Sequence, residues 1–290
     1  MIHAKGSEQA SITSPNKPMK RILKQVTPPL IFSAFKKILQ KPATYTPVWN
    51  TFSYAPMEKV TMYFDPKGPW QQKLLSDKYD AYIFDRLKSL NLSGKTIFDV
   101  GAHIGFHSFY FSQLVGSKGK VYAFEPHPKN LERIQLCINE NKNKVPTPIV
   151  VGIALSKTEG VIDFTLNNDI ESGRSSGGFI ENADTIWEKA VFTNRGFTKT
   201  KVKTLPLDEL KKIGISAKPD IIKIDVEGAE ALVLRGGQKT ILSHKPLIFL
   251  EVHSIKAMFE VMDFFKSVSY NTEIIHEEKD GRCFLEAKPQ

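Results

Sequence analysis

Cysteines are scarce in this sequence and long apolar runs are missing, and each absence excludes a class of protein. The 290 residues include two cysteines, Cys137 and Cys283, which are far apart and form no C-x-x-C pair. This argues against a disulfide framework or a zinc knuckle and is typical of proteins from a reducing compartment. Because no apolar stretch approaches the ~18 residues that a transmembrane helix needs, we expect a soluble, cytoplasmic chain.

Acidic residues are missing from a long N-terminal stretch. None occurs between Glu8 and Glu58, whereas seven basic residues do, so most of the net charge of +9 lies in this region. The sequence therefore predicts a basic arm over residues 1–57, partly disordered because its first residues are polar and rich in Ser and Pro. The Pro28-Pro29 pair and the lack of an A-x-A cleavage site argue against a secretory signal.

Apolar residues within the arm predict an amphipathic helix near residues 28–40. They fall at helical spacing on one face, and they are Leu30, Ile31, Ala34, Phe35, Ile38 and Leu39. A basic helix of this kind favours peripheral contact with an anionic membrane or docking on a partner, and packing on the protein's own domain is an equal alternative. We expect no nucleic-acid partner, because the basic arm carries this apolar stripe and lies outside the predicted site.

The pattern of apolar residues divides the rest of the chain into two parts. Residues 58–94 are predicted to form a lead-in strand and helix, and residues 95–290 the main domain. The main domain has an insertion at 156–204, in which a strand is expected at 161–166 and a helix near 181–191. Elsewhere strands alternate with helices, which is the pattern of a parallel sheet covered on both faces. The predicted strands cover residues 96–100, 120–125, 148–155, 220–226 and 246–252, with a closing antiparallel pair at 271–276 and 282–287.

The most informative segment is the turn DVGAHIG at residues 99–105, which follows the first predicted strand. Glycines there let the backbone turn tightly and approach a ligand, with helix N–H groups pointing towards it. A dinucleotide site would have the pattern G-x-G-x-x-G, in which the second glycine admits the pyrophosphate. Here only Gly101 and Gly105 are present, and His103 stands between them. The turn therefore favours a nucleoside ligand without a pyrophosphate, such as S-adenosylmethionine (SAM).

A carboxylate ends the second predicted strand, 24 residues after Gly101. At that position Glu125 can accept hydrogen bonds from both ribose hydroxyls of a nucleoside. The alternative is that Asp99 and Glu125 merely cap helices, but this does not explain two acids at the ends of adjacent strands. The turn and the carboxylate together indicate a nucleoside-binding site.

An ordered set of motifs resembles the FkbM family of methyltransferases. The motifs are DVGAHIG at 99–105, AFEP at 123–126, GIALS at 152–156, TLPLD at 204–208, IKIDVEGAE at 222–230 and LEVH at 250–253. The resemblance implies a Rossmann-like class I methyltransferase, an α/β fold whose seven-stranded mixed sheet has helices on both faces and the order 3-2-1-4-5-7-6. Here an N-terminal extension would precede it. The resemblance also implies SAM as the methyl donor and, usually, O-methylation of a sugar or polyketide hydroxyl.

The resemblance further implies roles for individual residues. The methionine end of SAM would be surrounded by Asp99, Gly101, Ala102, His103 and Gly105. Its carboxylate would lie near His107 and Ser108, its ribose would be held by Glu125, and its adenine would contact Pro126, Ile153 and Ala154. One departure from the family pattern is His103, where Asn is commoner, although His also donates and accepts hydrogen bonds.

Carboxylates and a histidine form a second group near the ends of the fourth and fifth predicted strands. Asp225 and Glu227 follow one strand, while Glu251 and His253 end the next. Alternate residues of a strand share a face, so both pairs can point into one cleft. We predict Asp225, Glu227 and His253 as the catalytic residues, with His253 the best match in pKa for taking a hydroxyl proton near neutral pH.

Two alternatives remain for this group. Asp225, Glu227 and Glu251 could hold a divalent cation such as Mg²⁺ that acidifies the acceptor, because hard oxygen ligands suit that ion. Otherwise Glu227 and Glu230 could serve only the structure, as helix caps or as partners of nearby cations. The prediction adopted is a site without a metal.

The sequence as a whole predicts a SAM-dependent O-methyltransferase that acts on a small molecule or glycan, as in polysaccharide or glycolipid biosynthesis. One rival is a non-catalytic binding subunit with the same fold, against which the intact Glu125 and Asp225 argue. A second rival is an NAD-dependent oxidoreductase, which the missing glycine of the turn disfavours. The oligomeric state and the identity of the acceptor stay open.

Overall fold

The computed structural model describes residues 46–68, 70–167, 178–180 and 197–290. The helices predicted near residues 28–40 and 181–191 lie outside these ranges. Membrane contact through the basic arm therefore stays a prediction. Within the described ranges, no helix is both long enough and apolar enough to cross a bilayer.

A hairpin and two short helices precede the main domain. Strand β1 covers Val48–Thr51 and pairs antiparallel with β2 at Thr61–Phe64. Helix α1 covers Gln71–Leu74 and α2 covers Ala81–Lys88. The predicted lead-in strand is present, but the predicted helix is divided, because Asp80 adopts a left-handed φ of 47° that a continuous helix does not tolerate.

Strands and helices then alternate along the main domain. In chain order the elements are β3 (Thr96–Val100), α3 (Phe106–Val115), β4 (Lys120–Phe124), α4 (Pro128–Asn141), β5 (Ile149–Val151), β6 (Ala154–Leu155), β7 (Gly160–Asn167), β8 (Gly178–Ile180), β9 (Phe197–Leu205), a 3₁₀ helix (Leu207–Ile213), β10 (Ile221–Ile224), α5 (Glu230–Gly236), α6 (Gln238–His244), β11 (Leu247–Val252), α7 (Ile255–Ser267), β12 (Tyr270–Glu277) and β13 (Cys283–Pro289).

The main sheet has seven strands in the order β12-β13-β11-β10-β3-β4-β5. Strands β3, β4, β5, β10 and β11 run parallel, while β13 pairs antiparallel with both β11 and β12. Counted within this sheet, the order is the 3-2-1-4-5-7-6 arrangement expected above. The prediction of a Rossmann-like class I methyltransferase fold is therefore confirmed.

Alternate residues of the central strands face two hydrophobic cores, one on each side of the sheet. Phe98 and Ile222 belong to a core that includes residues of α5, α6 and α7. Ile97 and Ile221 belong to a second core, which includes residues of the hairpin, α2 and α3. Because both faces are covered, all four residues of β10 are buried.

The predicted third strand over residues 148–155 is broken in the structure. Its first half is β5 of the main sheet, and its second half is β6 of a separate four-stranded sheet with the order β6-β9-β7-β8. Strand β7 confirms the strand predicted at 161–166, and it pairs antiparallel with β9. Sequence reasoning missed β9, because its alternating lysines and threonines give no apolar run and the strand is stabilised by its distant partner.

Candidate active site

A cavity of about 530 Å³ lies at the carboxyl ends of β3, β4 and β10. Ligands of open α/β sheets bind at this edge, and the volume is in the usual range for small-molecule sites. Eight of the residues predicted from the sequence line the cavity: Gly101, His103, Glu125, Pro126, Ile153, Ala154, Asp225 and Glu227. The structure therefore brings six of the predicted cofactor residues and both predicted catalytic carboxylates to one site.

The turn after β3 is built from residues with left-handed backbone conformations. Gly101 has φ 81° and Gly105 has φ 86°, while His103 between them has φ 53°. A Cβ atom at Gly101 would lie 1.8 Å from the carbonyl oxygen of Asp225, so only glycine fits there. Asn, Asp and His are the side-chain-bearing residues enriched in this conformation, which explains why His can stand where the family more often has Asn.

Glu125 projects from the end of β4 into the cavity with both carboxylate oxygens partly engaged. Oε2 accepts a hydrogen bond of 2.7 Å from the backbone N–H of His103, and Oε1 accepts one of 2.9 Å from that of His127. Burial raises the pKa of Glu125 to about 7, although these hydrogen bonds lower it. A carboxylate has about four lone-pair positions, so both oxygens can still accept ligand hydroxyls.

Other residues predicted to bind the cofactor lie behind the cavity wall and do not line it. Asp99 is fully buried and accepts a hydrogen bond from Ser108 Oγ. Ala102 is buried in a small apolar cluster. The Nε2 atom of His107 lies 2.9 Å from a carboxylate oxygen of Asp80. These side chains hold the turn and α3 in place, so the structure gives them a supporting position.

Lys223 is a buried cation that sequence reasoning did not assign to the site. Its Nζ lies 3.4 Å from Asp99 Oδ1 and 3.3 Å from Asp225 Oδ2. Burial lowers its pKa, but the charges of Asp225 and Asp99 outweigh this and raise it. Lys223 therefore links the ends of β3 and β10. The available signal was a lysine in the otherwise apolar strand Ile221–Ile224.

His253 lies at the centre of the predicted carboxylate group. Its Nδ1 is 2.7 Å from Glu230 Oε1, within hydrogen-bonding distance. Its Nε2 faces three further carboxylates, at 3.4 Å from Glu227, 3.6 Å from Glu251 and 3.7 Å from Asp225. His253 is only 1% exposed and does not line the cavity. The structure thus places it beneath Asp225 and Glu227.

The charges around His253 change its predicted proton affinity. Burial lowers its pKa, but the hydrogen bond with Glu230 and the surrounding carboxylates outweigh burial and raise the pKa to about 10. Burial would raise the pKa of Asp225, whereas Lys223 and His253 lower it to about 2. An imidazolium has no lone pair with which to accept a proton. In this charge state the carboxylates, and not His253, can accept a hydrogen bond from the hydroxyl group that receives the methyl group.

Aromatic side chains from residues 70–82 and from the closing hairpin form another wall of the cavity. Its members are Trp70, Tyr79, Tyr82, His276 and Phe284. Tyr82 stacks on His276 with the ring centroids 4.3 Å apart and an angle of 7° between the planes. Sequence reasoning missed this wall, because its members are distant in the chain and meet only when the hairpin packs beside α2.

The main domain is similar in sequence to known methyltransferases. Residues 99–272 match the sequence model of the family described as the methyltransferase FkbM domain. The chain is 29% identical over 185 residues to the hexuronic acid methyltransferase AglP of Haloferax volcanii, covering 63% of this chain and 66% of that protein. It is 28% identical over 148 residues to the 2-O-methyltransferase NoeI of Sinorhizobium fredii, covering 50% of this chain and 58% of that protein.

Each of these curated relatives extends beyond the matched region, which spans less than two thirds of its length. Among solved structures, the FkbM methyltransferase of Methylobacillus flagellatus aligns with a TM-score of 0.48 and 19% identity, over 69% of this chain and 45% of that one. The family model itself matches more than half of the present chain. The chain therefore belongs to the FkbM methyltransferase family.

Proposed function

We propose that the protein transfers a methyl group from SAM to a hydroxyl group of a sugar, within a glycan, glycolipid or activated sugar. The observation that carries the proposal is one cavity with two unlike walls. One wall has the glycine turn and Glu125, and the other is aromatic, while Asp225 and Glu227 also line the cavity. The names of two relatives, a hexuronic acid methyltransferase and a 2-O-methyltransferase, support a sugar acceptor.

The residues present fit SAM at the first wall. Glu125 has lone pairs left for ribose hydroxyls, and the adenine would contact Pro126, Ile153 and Ala154, all of which line the cavity. The methionine end would lie against the turn at Gly101 and His103. Asp99, Ala102, Gly105, His107 and Ser108 would support that turn from behind. When bound, SAM supplies an electrophilic methyl group on a positively charged sulfur.

The aromatic wall suits a sugar ring. The apolar C–H faces of a sugar pack on aromatic rings, while its hydroxyls need polar partners at the rim. Tyr82 and Phe284 offer such a face, with ring centroids 4.6 Å apart. Tyr82 is also held in place, because its hydroxyl donates a hydrogen bond of 3.0 Å to Asp80. We place the acceptor between this wall and the carboxylates.

Asp225 and Glu227 are the residues that we propose to contact the reacting hydroxyl. Methyl transfer needs a lone pair of the acceptor oxygen aligned with the methyl group, so orientation contributes much of the acceleration. A carboxylate oxygen of Asp225 or Glu227 would accept the hydroxyl hydrogen bond and later the proton. His253 would stabilise these carboxylates from beneath, since its Nε2 lies within 3.7 Å of both.

The test is methyl transfer by the full-length protein to a panel of sugars. The panel would contain nucleotide-activated hexuronic acids, neutral nucleotide sugars and lipid-linked oligosaccharides, each incubated with SAM. We expect one class to gain the mass of one methylene group, with the methyl located on oxygen by fragmentation. Transfer to protein or nucleic acid in parallel assays, without transfer to any sugar, would contradict the proposal.

A further inference from the structure

The largely buried group around His253 has more negative than positive side chains. Its carboxylates are those of Asp99, Asp225, Glu227, Glu230 and Glu251. The cations that pair with them are Lys223, Arg282 and the imidazolium of His253. Buried charges are costly unless they are paired, and cations here are fewer than carboxylates. The arrangement is therefore suited to an additional positive charge.

The Nε2 atom of His253 indicates the position at which this charge would bind. The side chain is buried, and Nε2 has no hydrogen-bond partner within the described part of the chain. Nδ1 lies 2.7 Å from Glu230 Oε1, so a metal ion that displaces the Nε2 proton would bind the tautomer that donates from Nδ1 and has its lone pair on Nε2. A carboxylate that orients a histidine through its second nitrogen is the usual arrangement around protein metal ligands.

The distances between the candidate ligand atoms suit one ion. Asp225, Glu251 and His253 each offer one atom, and these atoms lie within 4.8 Å of one another. Nε2 is 3.6 Å from Glu251 Oε1 and 3.7 Å from Asp225 Oδ1. Two ligands that each lie ~2.1 Å from an ion are about 3 to 4 Å apart, depending on their angle. Glu251 Oε1 also accepts a hydrogen bond of 2.5 Å from Arg282, so small movements of these side chains would complete the coordination.

We infer that Asp225, Glu251 and His253 bind a divalent transition-metal ion, with Mn²⁺ as the best match to two carboxylates and one imidazole. The inference rests on the proposed function only for the role of the ion. Asp225 and Glu251 line the cavity, so the ion would lie at its floor, beside the proposed acceptor. There it would lower the pKa of the acceptor hydroxyl and ease removal of its proton.

Binding is tested without SAM and without an acceptor. The full-length protein is freed of metal with a chelator and titrated with Mn²⁺, and free Mn²⁺ is followed by electron paramagnetic resonance. We expect one ion per chain and an affinity that falls about tenfold or more in His253→Gln and in Glu251→Gln. The matched controls His244→Gln and Glu260→Gln, on α6 and α7, should bind like the wild type.

A spectroscopic readout on the unmodified protein protects the test against variants that misfold. Bound Mn²⁺ should show magnetic coupling to one imidazole nitrogen, which a cation held by surface carboxylates would lack. Absence of Mn²⁺ binding, or binding without nitrogen coupling, would overturn the inference. Metal binding without methyl transfer to any sugar would refute the proposed function alone, whereas full transfer by a metal-free enzyme would refute the catalytic role of the ion.

Discussion

The α-carbon of Gly101 faces the carbonyl oxygen of Asp225 so closely that a Cβ atom there would lie 1.8 Å from it. This contact joins the cofactor turn after β3 to the end of β10, where the proposed catalytic carboxylates begin. The two halves of the site are therefore positioned by one backbone approach. A side chain at residue 101 would have to separate them.

We expect Gly101→Ala to lower the melting temperature and to abolish SAM binding, as measured by thermal unfolding and isothermal titration. The control is Gly214→Ala, because Gly214 has the same φ of 81° but a Cβ atom there would meet nothing within 4 Å beyond its chain neighbours. The control should show only the backbone strain, about 1–2 kcal/mol. Equal stability and equal SAM affinity in the two variants would contradict the proposed close approach.

Glu125 should make stability depend on pH. Burial raises its pKa from 4.5 to about 7, so its protonated form stabilises the fold fully below pH 4.5, and this contribution is lost as the pH rises through 7. Relative to Glu125→Gln, the wild type should lose on the order of 3 kcal/mol of unfolding free energy across that window. Urea denaturation at a series of pH values measures the difference. Parallel pH profiles for the two proteins would show that Glu125 does not titrate there.

Asp225 should affect turnover far more than cofactor affinity. If its carboxylate accepts the hydroxyl proton, Asp225→Asn should lower kcat by about 10²–10⁴-fold and leave the SAM dissociation constant within a few-fold of wild type. Asp263→Asn on α7 is the control for loss of a carboxylate elsewhere. Steady-state kinetics and titration separate the two effects. A variant with unchanged kcat would remove Asp225 from the mechanism.

Tyr82 should affect the acceptor and not the cofactor. Tyr82→Ala removes a ring of the aromatic wall, which stacks on His276. If the contact between this ring and the sugar is worth about 0.5–1.5 kcal/mol, KM for the sugar should rise by up to about tenfold. The SAM dissociation constant should stay the same. Phe259→Ala, which removes an aromatic ring that is 70% exposed on α7, should change neither. A rise in the SAM dissociation constant with no change in KM would place the sugar elsewhere.

The basic arm is expected to bind anionic membranes. Basic residues near such a surface contribute about 1 kcal/mol each, and salt weakens the attraction. The full chain should therefore sediment with anionic vesicles at low salt, and Lys36→Gln combined with Lys37→Gln should reduce this. Neutral vesicles serve as the control. Equal sedimentation of the full chain and of a chain that begins at residue 46 would favour packing of the arm on the protein itself.

Much of the fold and part of the site could be predicted from the chain itself. The strand order, the class I methyltransferase fold and the family were all indicated by motifs at strand ends. Such motifs are local: a turn that needs Gly101 with a positive φ and a strand that ends in Glu125 can be recognised within a few residues. Because parallel strands end at the same edge of a sheet, the convergence of Asp225 and His253 was also predictable.

Only the tertiary structure decided how the charges and the second wall of the site are arranged. Lys223 lies between Asp99 and Asp225, and Glu230 contacts His253, because three strand ends and the start of α5 meet at one place. Burial in that cluster, which no spacing in the sequence reveals, brings His253 against several carboxylates that raise its proton affinity above that of a free imidazole. The aromatic wall and strand β9 likewise depend on partners distant in the chain. The sequence determined which residues lie at the strand ends, and long-range packing decided their protonation states, their burial and their neighbours.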